Sequence, residues 1–231
     1  MNNFKISNRL KKCADMVSFN SKIADIGTDH AYIPIYLAMQ KKISHALACD
    51  ISIGPLKNAQ KNIKNYKFES IIETRLSDGL LNIQETEADE IIIAGMGGNM
   101  ISNILNNCPW KEKLHKKRFI LNPMKYEEKL HKFLASNGYK IKNELAVKCS
   151  GKSYLIIDTI FTGEKCILAP HELYIGKLEK NLSKDAFEFI KKQIKNIENH
   201  ILGSHAEQNL EKENYFNNIL IHLSNILKKE K

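Results

Sequence analysis

The residues with most chemical content in this sequence are acids set beside glycines. Asp25-Ile26-Gly27-Thr28-Asp29-His30 places one glycine between two carboxylates, directly after a short apolar run. A glycine at such a strand-to-helix turn lets the backbone approach a ligand where a side chain would collide. A pyrophosphate turn would want the three glycines of G-x-G-x-x-G, and flanking carboxylates would repel the phosphates. The same carboxylates suit a cation. S-adenosylmethionine carries both a sulfonium and an amino group, so the turn favours a methyl donor over NAD. Asp50 ends the next apolar run about twenty residues on, where a carboxylate can accept both ribose hydroxyls of an adenosine. Ser77-Asp78-Gly79 supplies another acid after a third run, where an adenine amino group would sit. Ala94-Gly95-Met96-Gly97-Gly98 leaves the end of the most apolar run almost bare of side chains, and Asn122-Pro123 closes the run after it.

Alternating strands and helices must carry these groups. Strands are expected at Lys22–Ile26, Ala46–Asp50, Ile71–Leu76, Glu90–Gly95 and Arg118–Asn122. Helices are expected at Tyr32–Gln40, Pro55–Asn65, Asn99–Asn107 and Glu127–Asn137, the last ended by Gly138. Such alternation predicts an α/β fold with a parallel sheet wrapped by helices. Lys140–Lys148 and Ser153–Phe161 read as an antiparallel hairpin across Ser150-Gly151, and Asn8–Val17 as a helical lid over the sheet. The texture changes at Thr162-Gly163-Glu164. Beyond it, apolar residues recur from Leu178 to Ile201 in steps of mostly three and four, break at Leu202-Gly203-Ser204 and resume at Leu210. This predicts an antiparallel, coiled-coil-like helical pair, and a division into residues 1–163 and 164–231.

Composition bounds the rest. With 231 residues, 43% of them hydrophobic, the chain can bury a core, which excludes wholesale disorder. Neither a membrane span nor a secretory h-region is visible, so the expected location is cytoplasmic. The five cysteines stand far apart, without metal-ligand spacing, and no metal is expected. Net charge is +9, and residues 101–152 hold twelve basic against four acidic side chains. Such a stretch is either a polyanion-binding surface or a solvated face.

Taken together, these segments resemble the TrmK family, bacterial tRNA adenine-N1 methyltransferases acting on adenine 22 of the D-arm. The resemblance is carried by Arg9-Leu10, Ala24–Pro34, Gly54-Pro55, Arg75–Leu80, Ile93–Gly98, Asn122-Pro123, Glu144 and Gly151–Tyr154. Ser77 and Leu121 depart mildly from its pattern. The resemblance implies a class I, Rossmann-like methyltransferase sheet with an appended helical pair. S-adenosylmethionine would contact Asp25, Gly27, Asp29, His30, Asp50, Asp78 and Gly95, with Ile51, Gly79 and Met96 beside them. The substrate would be tRNA, met by Arg9, Lys116, Lys117, Arg118 and Lys125, and the protein would act as a monomer. Adenine N1 already has an in-plane lone pair, so no general base is required. Asp29 and Asn122 are the expected catalytic residues, one for charge and one for the pocket wall, together with Tyr32 and Met96. An NAD-dependent oxidoreductase and a silent RNA-binding adaptor are the alternatives. The lone Gly27 argues against the first, and the intact set of acids against the second.

Overall fold

The computed structural model describes residues 4–230, apart from the side chain of Lys116. Along the chain come five parallel strands: β1 (Ser21–Ile26), β2 (Ile43–Asp50), β3 (Ile72–Leu76), β4 (Glu90–Ala94) and β5 (Arg118–Asn122). The hairpin β6 (Tyr139–Cys149) and β7 (Lys152–Phe161) completes a seven-stranded sheet in the order β3-β2-β1-β4-β5-β7-β6, with β7 antiparallel to β5. The order reverses between β1 and β4. Open α/β sheets bind ligands beyond the carboxyl ends of the strands at such a switch point.

Helices cover both faces, and the sequence of β4 shows why. Ile91 and Ile93 join one buried cluster while Ile92 joins the other, so a continuous apolar run is needed to fill two cores. On one face lie α1 (Asn8–Asp15), α2 (Tyr32–Met39) and α3 (Ile53–Tyr66). On the other lie α4 (Gly98–Asn106) and α5 (Glu127–Ser136). Ser7 caps α1, its hydroxyl accepting the Leu10 N–H, and Cys13, Ala14 and Val17 are buried beneath it. All five cysteines are free thiols.

The C-terminal region departs from expectation at two points. A short helix, α6 (Glu172–Ile175), precedes α7 (Lys184–Ala206), which runs unbroken through Gly203. A glycine inside a helix costs only about 1 kcal/mol, and Ser204 is fully buried there with its hydroxyl on the His200 carbonyl. The reversal falls instead at Gln208, whose φ is +54°, and at Asn209, which caps α8 (Leu210–Leu227) by accepting the Lys212 N–H. The compositional boundary at residue 163 is also no boundary in packing. Leu178, Ala186 and Phe189 share the buried cluster of the sheet. The rest of α7 packs with α6 and α8 in a cluster that includes Ile190, Ile197, Phe216 and Leu223.

A buried polar junction fixes that attachment. His131 Nε2 lies 2.6 Å from Glu144 Oε1, and its Nδ1 lies 2.7 Å from the Leu173 carbonyl oxygen. The other Glu144 oxygen accepts the Lys177 backbone N–H. Burial and the Glu144 charge pull the His131 pKa in opposite directions, and the net shift is upward. Among the described residues, no helix is long and apolar enough to cross a membrane.

Candidate active site

A cavity of about 310 Å³ opens at the carboxyl ends of β1 and β4, where the strand order reverses. Its lining includes Asp25, Gly27, Thr28, Asp29 and His30 from the first loop, Gly95 after β4, and Arg9 from α1. The backbone needs glycine at both loops. Gly27 sits at φ +77° and Gly95 at φ +98°, and a side chain at Gly27 would collide with the Met96 methyl. At Gly95 no atom would meet a Cβ, so that loop faces open space.

The electrostatics of the cavity are set by Asp25, which is 6% exposed. Burial pushes its carboxyl up to about 6, with Asp50 adding to the rise and the Thr28 hydroxyl opposing it. Among the described residues no cationic side chain forms an ion pair with Asp25, and a buried carboxylate so placed is a favourable site for a ligand cation. Asp29 is different: its side chain is 65% exposed, with Oδ2 at 3.1 Å from His30 Nε2. It does not cap the helix that follows. Thr28 Oγ1 accepts the Ala31 N–H, and α2 follows Ala31 with no side-chain cap. The His30 ring stacks on Tyr32, their centroids 5.0 Å apart.

Asp50 and Asp78 stand at the ends of the next two strands, outside the residues that line this cavity. Asp50 Oδ1 accepts the Ser52 N–H at 2.8 Å, which fixes the carboxylate at the strand end. Asp78 and Ile51 are exposed, and Gly79 backs onto Ile104. These acids therefore form a row along the edge of β1, β2 and β3, with Asp25 at the deep end.

Two expected residues are tied to each other. Asn122 is 0% exposed, and its amide is engaged on both sides. Its Nδ2 donates to the Leu155 carbonyl at 2.6 Å, and its Oδ1 accepts Arg9 Nη1 at 2.5 Å. Asn122 is thus a positioning residue for Arg9, whose guanidinium lies 5.6 Å from the Tyr154 ring centre. Arg9, expected on an RNA surface, lines the cavity.

The basic stretch is not one surface. Lys117 is 5% exposed, its ammonium donating to the Glu85 and Ala88 carbonyls at 2.7 and 2.8 Å. Arg118 begins β5 at the opposite edge of the sheet, bonded bidentately to Asp158 at 2.7 and 3.0 Å. Both are removed from the expected phosphate contacts: ammonium and guanidinium hold the fold. The Lys116 side chain lies outside the described residues. Lys125 is exposed near the active edge, its ammonium 5.1 Å from the Tyr126 ring centre. The sequence reading missed Thr28 and Tyr154 as site residues, although both lie inside segments it had singled out.

The methyltransferase domain family matches residues 6–157. The chain is 37% identical to the tRNA (adenine(22)-N(1))-methyltransferase of Bacillus subtilis (strain 168) over 158 residues, which is 68% of this chain and 66% of that protein. The fold superposes on the crystal structure of B. subtilis TrmK, the m1A22 tRNA methyltransferase, with a TM-score of 0.84. The identity is 28%, covering 97% of this chain and 100% of the other. M. capricolum TrmK, solved with S-adenosyl-homocysteine, matches at 29% identity and a TM-score of 0.80, covering 96% and 99%. With about two thirds of its length inside that domain and its appended helices matched as well, the chain belongs to the methyltransferase domain family, on its TrmK branch.

Proposed function

We propose that this chain transfers the methyl group of S-adenosylmethionine to ring nitrogen N1 of adenine 22 in the D-arm of tRNA. The observation that carries the reading is the buried Asp25, without an ion-pair partner among the described residues, in the lining of a glycine-walled cavity, in a chain of this family. The residues fit the donor. Asp25, Asp29 and His30 would face its cationic amino-acid end, Asp50 its ribose hydroxyls, and Asp78 with Gly79 its adenine. Gly95 and Met96 would border the reacting methyl group.

When bound, the donor supplies an electrophilic methyl on a positively charged sulfur. The N1 lone pair forms the new carbon–nitrogen bond as the carbon–sulfur bond breaks, and no proton moves in that step. The chain's part is therefore to hold, orient and desolvate. Adenine in a folded tRNA is stacked or paired, so it must be turned out to reach the cavity. Asp29 at the rim favours the positive charge that develops on the ring. Arg9, held by Asn122, is placed to meet the phosphate or sugar of the turned-out nucleotide.

The test is methylation of unmodified tRNA transcript with labelled S-adenosylmethionine, mapped by the reverse-transcription stop that N1-methyladenine causes. A stop at adenine 22, lost when that base is changed to guanine, is the expected result. Transfer to another position, or none, overturns the proposal.

A further inference from the structure

Beside the active edge lies a second cavity, of about 450 Å³, between the start of α5 and one stripe of α7. The loop after β5 separates the two: Met124 donates its N–H to the Met96 carbonyl, and Gly98 donates to the Lys125 carbonyl. Met124, Lys125 and Tyr126 form one wall, and Gln193, Asn196 and Asn199 face them from α7. The residues of α7 stand three apart, as one helical face requires.

Its polar groups are unusual for a cleft in the attachment region. Gln193 is 3% exposed, yet its Nε2 has no hydrogen-bond partner among the described residues. Its Oε1 accepts Asn196 Nδ2 at 3.2 Å. A buried amide donor left unpaired costs about 1–3 kcal/mol, and a small turn of the Gln193 side chain brings it to an acceptor held in the cleft the residue lines. The charges do not favour a phosphate. Lys192 is paired with Glu127 at 2.8 Å, and the lining holds the carboxylate of Glu128 as well as Lys125. What the cleft offers is amide donors and acceptors beside an exposed aromatic ring, Tyr126. That is the chemistry that recognises an unstacked nucleobase: edge hydrogen bonds and a stacking face.

We propose that the cleft between α5 and α7 is a second nucleobase subsite, taking a base of the tRNA that loses its stacking when the target adenine is turned out. Gln193 Nε2 donates to an acceptor on the edge of that base, Asn196 and Asn199 complete the edge, and Tyr126 covers its face. Holding the second base compensates part of the cost of opening the RNA beside the active cavity. The inference rests on the reading of the protein as a tRNA methyltransferase.

The experiment uses the full chain with S-adenosylmethionine and unmodified tRNA transcript. The double variant Asn196→Ala/Asn199→Ala alters exposed side chains, and Gln193→Ala is measured beside it with its Tm. The expected result for the double variant is a rise of about tenfold in tRNA Kd and KM, the range of one lost base contact. The salt dependence of tRNA binding and the affinity for S-adenosylmethionine stay as in the wild type. A double variant with wild-type tRNA affinity overturns the subsite. So does a loss of affinity that comes with a flatter salt slope, which would make the contact a phosphate one. Wild-type chain that methylates no tRNA overturns the function and the subsite together, whereas methylation with unchanged variants overturns the subsite alone.

Discussion

Both edges of the sheet carry charged and polar groups, and they use them in opposite ways. At the amino-terminal edge, Arg118 joins Asp158, Glu90 and the Ser18 hydroxyl, and Glu90 also accepts the Ser18 N–H. Lys117 is closed off by two carbonyls and by Glu85 at 3.3 Å. At the carboxyl edge, Asp25 is buried with no ion-pair partner among the described residues, Asp29 and Asp78 face solvent, and the loop at Gly95 has open space in front of it. One edge is saturated and the other is not. The difference shows that charge in a sequence says little about function until its partners are known: groups satisfied internally hold the fold, and unsatisfied ones await a ligand.

The comparison can be broken from the saturated side first. Arg118→Ala strands Asp158 and Glu90, and because the pair is only partly buried the expected loss is about 2–3 kcal/mol, below the 3–5 kcal/mol of a fully buried one. Chemical denaturation reads it. Affinities for S-adenosylmethionine and for tRNA should not change, and a selective loss of tRNA binding would return Arg118 to the RNA surface.

On the open side, Asp25→Asn should weaken S-adenosylmethionine by about ten- to a hundredfold, the equivalent of one charge-assisted contact of 1.5–3 kcal/mol. Calorimetry reads this effect. Stability should respond the other way. The raised folded pKa means the folded chain keeps a proton that the unfolded chain has already lost, so the carboxylate subtracts stability as pH rises through about 6. The Asn variant should therefore be no less stable than wild type at pH 8. Cofactor affinity of the wild type should fall as pH drops below about 6, and that dependence should vanish in the variant.

A smaller effect is expected at the rim. Asp29→Asn keeps the shape and removes the charge, and its exposure puts the fall in single-turnover methylation near tenfold, the weak end of electrostatic contacts. A rate within twofold of wild type would leave Asp29 without a part in the chemical step, since α2 carries no side-chain cap for it to supply either. Smallest is Lys125→Ala, which should lower the log–log salt slope of tRNA binding by about one unit. Lys117→Ala should leave that slope untouched, because its ammonium is closed off from solvent.

Much of the site was legible because its parts are local. Asp25, Gly27, Thr28, Asp29 and His30 are neighbours in the chain, and a strand-to-helix turn is enough to present them together. Strand ends were readable for the same reason: β5 begins and ends at the residues its apolar pattern marks. The helical turn at residue 203 was misplaced because a glycine is only a weak breaker once Ser204 is buried behind it. The second cavity was invisible in the sequence, since the stripe of α7 reads as an ordinary polar helix face until α5 is set against it.

By itself the sequence determined the alternation of strands and helices, the bare loops after β1 and β4, and the row of acids at the strand ends, because each depends on spacings of a few residues. Tertiary structure alone decided which charged groups remain open to a ligand. Arg9 meets Asn122 from 113 positions away, Arg118 meets Asp158 from 40, and Lys117 meets the Ala88 carbonyl from 29. Such partners are chosen by the order of strands in the sheet and the faces on which helices pack. A lysine that neutralises a phosphate and a lysine that closes a buried carbonyl pair have the same letter in the chain, and only the neighbours brought by folding tell them apart.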